Sequence, residues 1–418
     1  MDILAQTKLT KSEWESIEIP VPENEISILK MIHSGYSNVN TIQNNAKTMI
    51  SFTKLQPSPE IHFYLYNKYF RPVLDTYIEK TKESWKEFAN FKVSEKTLKK
   101  MKSADSIRMQ NVDQLIQNNS ECIFEYNVSE VCKNVLKSII KNVPFTKELY
   151  TLIEWKKATL ANTNPYVTDI MNITINYGKS KTSINTMITN AYDVIERNGN
   201  LYKYENLTLF SHQKELFTMC ATHQETPKLI LYTAPTGTGK TLSPIGLSNG
   251  YKIIFVCVAR HVGLALAKSA ISIEKKVAFA FGCDSTSDIR LHYFSAIDYE
   301  VNRRSGGIWR VDHSNGNNVE IMICDVYSYL HAMRYMCAFN ERNTMLTYWD
   351  EPTMTLDYEV HPLHDIIKQN WSENVIPNLV LSCATLPKEE EIHECIMDYC
   401  TYFPNAIVHT ITSFDCRK

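Results

Sequence analysis

Several things are scarce or missing in this chain of 418 residues. Glycine is scarce at 12, while Asn, Ile, Lys and Tyr abound, a bias that looks like coding from an AT-rich genome more than a physical demand. The 11 cysteines are odd in number and scattered, and none forms a C-x-x-C pair. A disulfide framework is therefore not expected. The first residues, MDILAQTKLTKSEWES, lack the apolar core of a signal peptide. No apolar run reaches the roughly 18 residues that a membrane span needs. Together these absences predict a soluble chain in a reduced, intracellular setting with no membrane partner, in which the sequons at Asn127, Asn172 and Asn206 are incidental. Charge of one sign is missing too: the net charge is −2, so no global positive field draws the chain to nucleic acid, and such binding would need a local patch. There is no internal repeat.

What is present is material for large cores. At 44% hydrophobic composition, the length suggests two or three domains. Residues 1–200 read as a mostly α-helical N-terminal domain of unknown role. Pro20 and Pro22 open a segment in which Ile26, Leu29 and Ile32 fall at helical spacing, with Gly35 as a stop. Residues 62–90 are rich in aromatics three or four apart, the pattern of a helical core; a base-stacking platform would need those rings exposed beside basic residues. Several of Lys96, Lys99, Lys100, Lys102 and Arg108 share one helix face, ordinarily a solvated one. Another amphipathic helix is expected over 131–143, before Pro144. Turn-rich sequence places the boundary near 196–206.

From 201 to 418 the texture changes to short apolar runs alternating with helical patterns. This is the signature of an α/β domain with a parallel sheet covered on both faces. The expected strands are 229–232, 253–258, 277–281, 321–324, 345–349, 379–383 and 406–410. A long irregular insertion, 283–318, carries Arg303, Arg304, Gly306 and Gly307.

The first strand runs straight into Ala234, Pro235, Thr236, Gly237, Thr238, Gly239, Lys240 and Thr241. This has the form of a phosphate-binding loop entering a helix. The two glycines let backbone N–H groups turn inward around phosphate oxygens, and the helix start adds positive charge. Lys240 is placed to reach the β- and γ-phosphates, and the Thr241 hydroxyl to ligate Mg²⁺. Pro244 comes early in the following helix, so local distortion is expected.

A nucleotide hydrolase needs a second site: a carboxylate on a neighbouring strand for Mg²⁺ and an acid to activate water. Asp350 ends an apolar run as the first should, and Glu351 follows as candidate general base. Ser382 and Thr385 end another run in small hydroxyl residues suited to sense that pair. Upstream, Gln213 carries an amide that could read donor and acceptor on adenine. By contrast, His393, Glu394, Cys395 and Cys400 match no common zinc spacing.

At these residues the chain resembles a superfamily-2 helicase of the DEAD-like group, over about 204–412. The resemblance implies the ATP-binding RecA-like lobe of a P-loop NTPase, with motif I at 234–241, where Ala in first place is usual. It implies motif II reading DEPT at 350–353 and motif III reading SCAT at 382–385, one residue longer than the usual SAT. Gln213 is similar to the adenine-reading glutamine, and Arg260, His261 and Tyr327 stand where such helicases contact the nucleic-acid backbone. The wording around the motifs resembles uncharacterised helicases of giant DNA viruses, which would put the protein in host cytoplasm, a viral factory or a virion.

The function implied is a nucleic-acid-dependent ATPase or helicase acting on a single strand of RNA or DNA, with ATP and Mg²⁺ as cofactors. Such helicases continue into a second RecA-like lobe, and no Q-x-x-G-R-x-G-R element occurs before Lys418. The expectation is therefore a motor incomplete without a lobe from another chain or a missing C-terminal part. The rival readings are a catalytically weak ATP-binding scaffold whose N-terminal half is the interaction module, and a DNA-packaging or translocase ATPase.

Overall fold

The computed structural model describes residues 7–91, 93, 113, 115, 116, 118–301, 308–353, 355 and 358–414. The basic run from Lys96 to Arg108 and the Arg303, Arg304, Gly306 and Gly307 group lie outside them. The chain divides into two compact units, residues 1–41 with 208–418, and residues 42–207.

The first is built on one sheet. Its strands are β1 (Lys228–Thr233), β2 (Lys252–Cys257), β3 (Val277–Ala280), β4 (Arg290–Leu291), β5 (Ile321–Asp325), β6 (Met345–Asp350), β7 (Asn378–Cys383) and β8 (Ile407–Thr412). All seven apolar runs expected to be strands are strands. They lie in the order β8-β1-β7-β6-β2-β5-β3-β4. Every pairing is parallel except that of β3 with the two-residue edge strand β4. Consecutive apolar residues such as Ile253, Ile254, Phe255 and Val256 are buried on both faces, which is why these runs do not alternate with polar positions.

Parallel neighbours need crossover connections. Here these contain α4 (Ser243–Leu247), α5 (Arg260–Ser272), α6 (Tyr329–Cys337), α7 (Leu363–Ser372) and α8 (His393–Tyr402), while α3 (Ser211–Thr222) precedes β1. Ile254, Val256, Met322, Cys324 and Trp349 share a core with Tyr329, Met333 and Met336 of α6 and Leu363 of α7. Because the strands run one way, their carboxyl ends gather on one edge, and loops leaving that edge are brought together.

Residues 7–41 belong to this unit, although by composition they read with the helical half. Helix α1 (Lys11–Glu18) opens on a Thr10/Glu13 capping box, and α2 (Glu23–Gly35) spans the expected segment, with Gly35 its last residue. Trp14 meets Phe279 of β3 edge-on with ring centroids 5.1 Å apart, and Val21 N donates to Ser272 Oγ at 3.0 Å. Tyr36 packs edge-on against Phe217 and Tyr251 and accepts a hydrogen bond from Gln224 at 2.9 Å. Helical periodicity shows that a segment has an apolar face, but not which core that face enters.

The second unit is helical. Its core joins Tyr66, Phe70, Leu74, Ile78 and Phe88 to the long helix Phe124–Lys141 and to Pro165–Lys181. The aromatics of 62–90 are thus mainly core. Glu125, buried there, accepts hydrogen bonds from Met49 N and Asn164 N, and burial pushes its carboxyl up to about 7. The two N–H groups stand at the starts of the helices Met49–Thr53 and Pro165–Lys181, so the carboxylate serves both helix ends.

Candidate nucleotide site at the carboxyl edge of the sheet

β1 ends at Thr233 and the chain turns through 234–239. Gly237 and Gly239 adopt φ of 82° and 76°, angles that cost a side-chain-bearing residue about 1–2 kcal/mol. A Cβ on Gly239 would also meet Gln213 Nε2 at 3.1 Å. The turn is pinned from several sides. Thr238 Oγ1 donates to Pro235 O at 2.8 Å, and Ala234 N to Cys383 O at 3.3 Å. Gln213, only 2% exposed, donates to Gly239 O at 3.2 Å and accepts from Phe210 N at 3.3 Å. Its amide therefore braces the loop, with one N–H and one lone pair beyond those bonds. Thr236 and Gly237 stay exposed at the tip.

After the turn, Lys240–Leu242 forms a single 3₁₀ turn and α4 runs for only five residues, with Pro244 in its first turn. Pro tolerates that position because its missing N–H would have no intrahelical acceptor. The helix expected to favour phosphate with its dipole is therefore short. Positive charge at the loop rests instead on Lys240 and the loop amides.

Lys240 is 5% exposed, and its Nζ lies 2.7 Å from Glu351 Oε1. Its carbonyl accepts a hydrogen bond from the Tyr348 hydroxyl at 2.7 Å, which also lies 3.0 Å from Ser382 Oγ. Tyr348 stands two residues before Asp350 on β6, so both side chains leave the same face. Asp350 pairs in register with Ser382 on one side and Cys257 on the other. It is 4% exposed, and its Oδ1 has no hydrogen-bond partner among the described residues. Burial raises its carboxyl to about 6, opposed by Lys240, reinforced by Glu351 and opposed again by a hydrogen bond from Ser382.

Glu351 has φ of 52°, a left-handed angle uncommon for this residue type, and such angles gather at functional sites. Its N donates to Ser382 O at 2.7 Å, and Cys383 Sγ lies 2.7 Å from its Oε2. Burial pushes the carboxyl up, but the Cys383 thiol and Lys240 outweigh it, so Glu351 sits below its ordinary range.

The other expected site residues are placed unevenly. Thr241 follows Lys240 in the 3₁₀ turn, half-buried. Thr385 is exposed, and its backbone N, rather than its hydroxyl, reaches inward, to Cys383 Sγ at 3.4 Å. Arg260 and His261 follow β2, and Tyr327 follows β5, on the same edge as the loop. His261 is exposed and Tyr327 half-buried. Arg260 is held by α1 and the residues before it: Nε and Nη2 donate to Glu13 at 2.6 and 2.8 Å, and Nη1 to Thr7 O at 2.6 Å. It also covers the Phe281 ring at 4.9 Å. That ion pair drives the Glu13 carboxyl down to about 2.

The sheet order puts β7, which carries Ser382 and Cys383, between the loop strand β1 and the acidic strand β6. The sheet unit is an α/β domain on a mostly parallel sheet. No family model matches the chain, and neither does any curated protein. Among solved structures, it is similar to a hypothetical ATP-dependent RNA helicase from Sulfolobus tokodaii, at 17% identity over 49% of this chain and 53% of that one, with a TM-score of 0.29. It is similar to the yeast DEAD-box splicing factor Prp28, at 12% identity over 54% and 50%, TM-score 0.31. It is also similar to Saccharomyces cerevisiae Dbp5 bound to Nup159, Gle1, IP6 and ADP, at 13% identity over 49% and 53%, TM-score 0.26. The chain spans about half the length of each.

Three residues that sequence reading passed over take part in these contacts. Tyr348 was legible from its place two before Asp350. Cys383 was signalled by the extra residue in SCAT. Glu13 had no signal, standing far from Arg260 in the chain. Among the described residues, no group of three or more His, Cys, Asp or Glu is arranged to hold a metal, and no helix is long and apolar enough to cross a membrane.

Proposed function

We propose that the sheet unit is the ATP-binding lobe of a DEAD-like nucleic-acid helicase or NTPase, coupling ATP hydrolysis to binding and remodelling of an RNA or DNA strand. The observation that carries this reading is the convergence of Lys240, Asp350 and Glu351 beside a loop with two positive-φ glycines.

The residues fit a hard cation. Asp350 offers a buried oxygen with no hydrogen-bond partner among the described residues, and Thr241 offers a hydroxyl next to Lys240. One or two protein oxygens with phosphates and water are the usual ligands of Mg²⁺. When bound, Mg²⁺ would neutralise charge developing on the transferred phosphate. In the structure Lys240 and Glu351 form an ion pair at 2.7 Å. On ATP binding Lys240 exchanges Glu351 for the terminal phosphates, and the released carboxylate accepts the proton of the attacking water. Gln213 keeps the loop in shape and turns its remaining amide capacity to adenine. Tyr348 fixes the Lys240 carbonyl, while Ser382 and Thr385 link the acidic pair to the next strand. His261 and Tyr327 contact the strand backbone, Arg260 joins them on release from Glu13, and a second RecA-like lobe closes over the exposed loop tip.

The test is calorimetry and single-turnover hydrolysis on residues 1–418. ATP·Mg²⁺ binds with measurable affinity, and Lys240→Ala loses that affinity with the fold intact. Hydrolysis is slow and rises when a single strand is added. Without an arginine from a second lobe, a contribution of about 10³ to 10⁵ in rate, the chain alone unwinds no duplex. Equal ATP affinity in Lys240→Ala would overturn the assignment of the loop. Binding without stimulation by RNA or DNA would turn the reading into an ATP-binding scaffold.

A further inference from the structure

Glu351 is fastened to the end of a single strand by both its backbone and its side chain. Its N–H is bonded to Ser382 O, and its Oε2 lies against Sγ of the next residue, Cys383. Cys383 is the last residue of β7, buried, and paired in register with Thr233, where β1 gives way to the phosphate loop. It is thus built into the sheet while its sulfur faces the acid at the sheet's edge.

The neighbours of the sulfur say where its hydrogen lies. Thr385 N–H points at Sγ from 3.4 Å, so the sulfur accepts there. Thr353 Oγ1, 3.1 Å away, can donate to it as well. An ionised carboxylate can only accept. The thiol hydrogen therefore belongs on the Glu351 side, and the network of Thr353, Thr385 and Cys383 ends in one donor aimed at Oε2.

We propose that Cys383 is a positioning residue for Glu351, its thiol holding Oε2 so that Oε1 faces the attacking water once Lys240 has turned to phosphate. This rests on the reading of Glu351 as general base. Lys240 holds Oε1 and Cys383 holds Oε2, and the backbone N–H of Ala384 also bonds the carboxylate. The base must lose the first in order to work, and the second is the side-chain donor that stays. With Lys240 turned away, the Cys383 thiol and the Ala384 N–H are what fix the rotamer of this half-exposed glutamate. The extra residue of the SCAT element thereby gains a purpose: it brings a side chain of β7 onto the base itself.

Single-turnover hydrolysis of radiolabelled ATP by residues 1–418, measured against pH for wild type, Cys383→Ala, Cys383→Ser and Glu351→Gln, tests this. Cys383→Ala is expected to lower the rate by about 10-fold, the factor for one lost hydrogen bond to a charged group. It also moves the acid limb of the profile to higher pH, with ATP affinity by calorimetry unchanged. Cys383→Ser, which keeps a donor in nearly the same volume, restores rate and limb. ¹³C-carboxyl NMR, with the Glu351 signal identified by its loss in Glu351→Gln, reads the same movement without turnover. An acid limb and a Glu351 titration unmoved in Cys383→Ala, or displaced equally in Cys383→Ser, would overturn the proposal, leaving the thiol as packing. If Glu351→Gln hydrolyses ATP like wild type, the base assignment itself falls. If Glu351→Gln stalls and Cys383→Ala titrates as wild type, only the positioning role falls.

Discussion

Asp350 offers a measurement that needs neither substrate nor activity. Its carboxyl is buried at the end of β6 with one oxygen lacking a hydrogen-bond partner among the described residues, and it sits at about 6 in the fold against an ordinary 3.8. A raised acid means that the native state binds more protons than the unfolded chain between those two values. Stability must therefore fall as pH rises through that window, and stay lowered above it. The difference between 3.8 and about 6 corresponds to about 3 kcal/mol at neutral pH. Asp350→Asn removes the titration, although its amide has its own fixed cost, so the quantity to compare is the change with pH. Between pH 4 and pH 7.5, wild type is expected to lose about 2 kcal/mol relative to Asp350→Asn. Glu351, held below its ordinary range, does not titrate in the native state over most of that window. Urea denaturation followed by tryptophan fluorescence makes the comparison, with Trp85 and Trp155 replaced by Phe so that the remaining tryptophans report on the sheet unit. Parallel pH curves for the two proteins would refute the reasoning and mean that the carboxyl is solvated or already satisfied.

Glu351→Gln keeps size and hydrogen bonding but loses the base, so ATP stays bound while hydrolysis falls by about 10² to 10⁴; unchanged single-turnover rates would remove Glu351 from that role. Tyr348→Phe deletes the hydroxyl under the Lys240 carbonyl and is expected to cost about 0.5–1.5 kcal/mol, the net worth of one hydrogen bond, because that carbonyl keeps its bond from Ser243 N; urea titration of the sheet unit checks it. Glu13→Gln weakens the clasp on Arg260 and frees its guanidinium for phosphate, so single-strand affinity should rise about 2- to 10-fold, the worth of one net hydrogen-bonded contact. Fluorescence anisotropy at two salt concentrations reads this, and weaker binding in the variant would show that α1 supports the strand site.

The sequence determined the sheet and the place of the phosphate-loop and acidic residues at its edge, because both depend on local pattern. A run such as Ile253 to Val256, apolar at every position, has no soluble alternative to a strand buried on both faces, and all seven such runs are strands. Two glycines before Lys240, directly after one of them, imply a loop of inward-facing amides whatever surrounds it. Asp350 at the end of an apolar run implies a carboxylate at a sheet edge. Tertiary structure decided everything that depends on which segments become neighbours. Periodicity gave α1 and α2 their apolar faces, but only long-range packing against Phe279, Phe217 and Tyr251 assigns them to the sheet unit. Arg260 reads in sequence as an available cation, yet Glu13, remote in the chain, fills its guanidinium fork. Gln213 reads as an adenine contact, yet it lies under Gly239 and braces the loop. Cys383 reads as an extra letter in a hydroxyl motif, and strand order places its sulfur on Glu351. The physical reason is the same in each case: strand and turn preferences act over a few residues, whereas the partner of a charged or polar side chain is fixed by where the parallel crossovers return the chain.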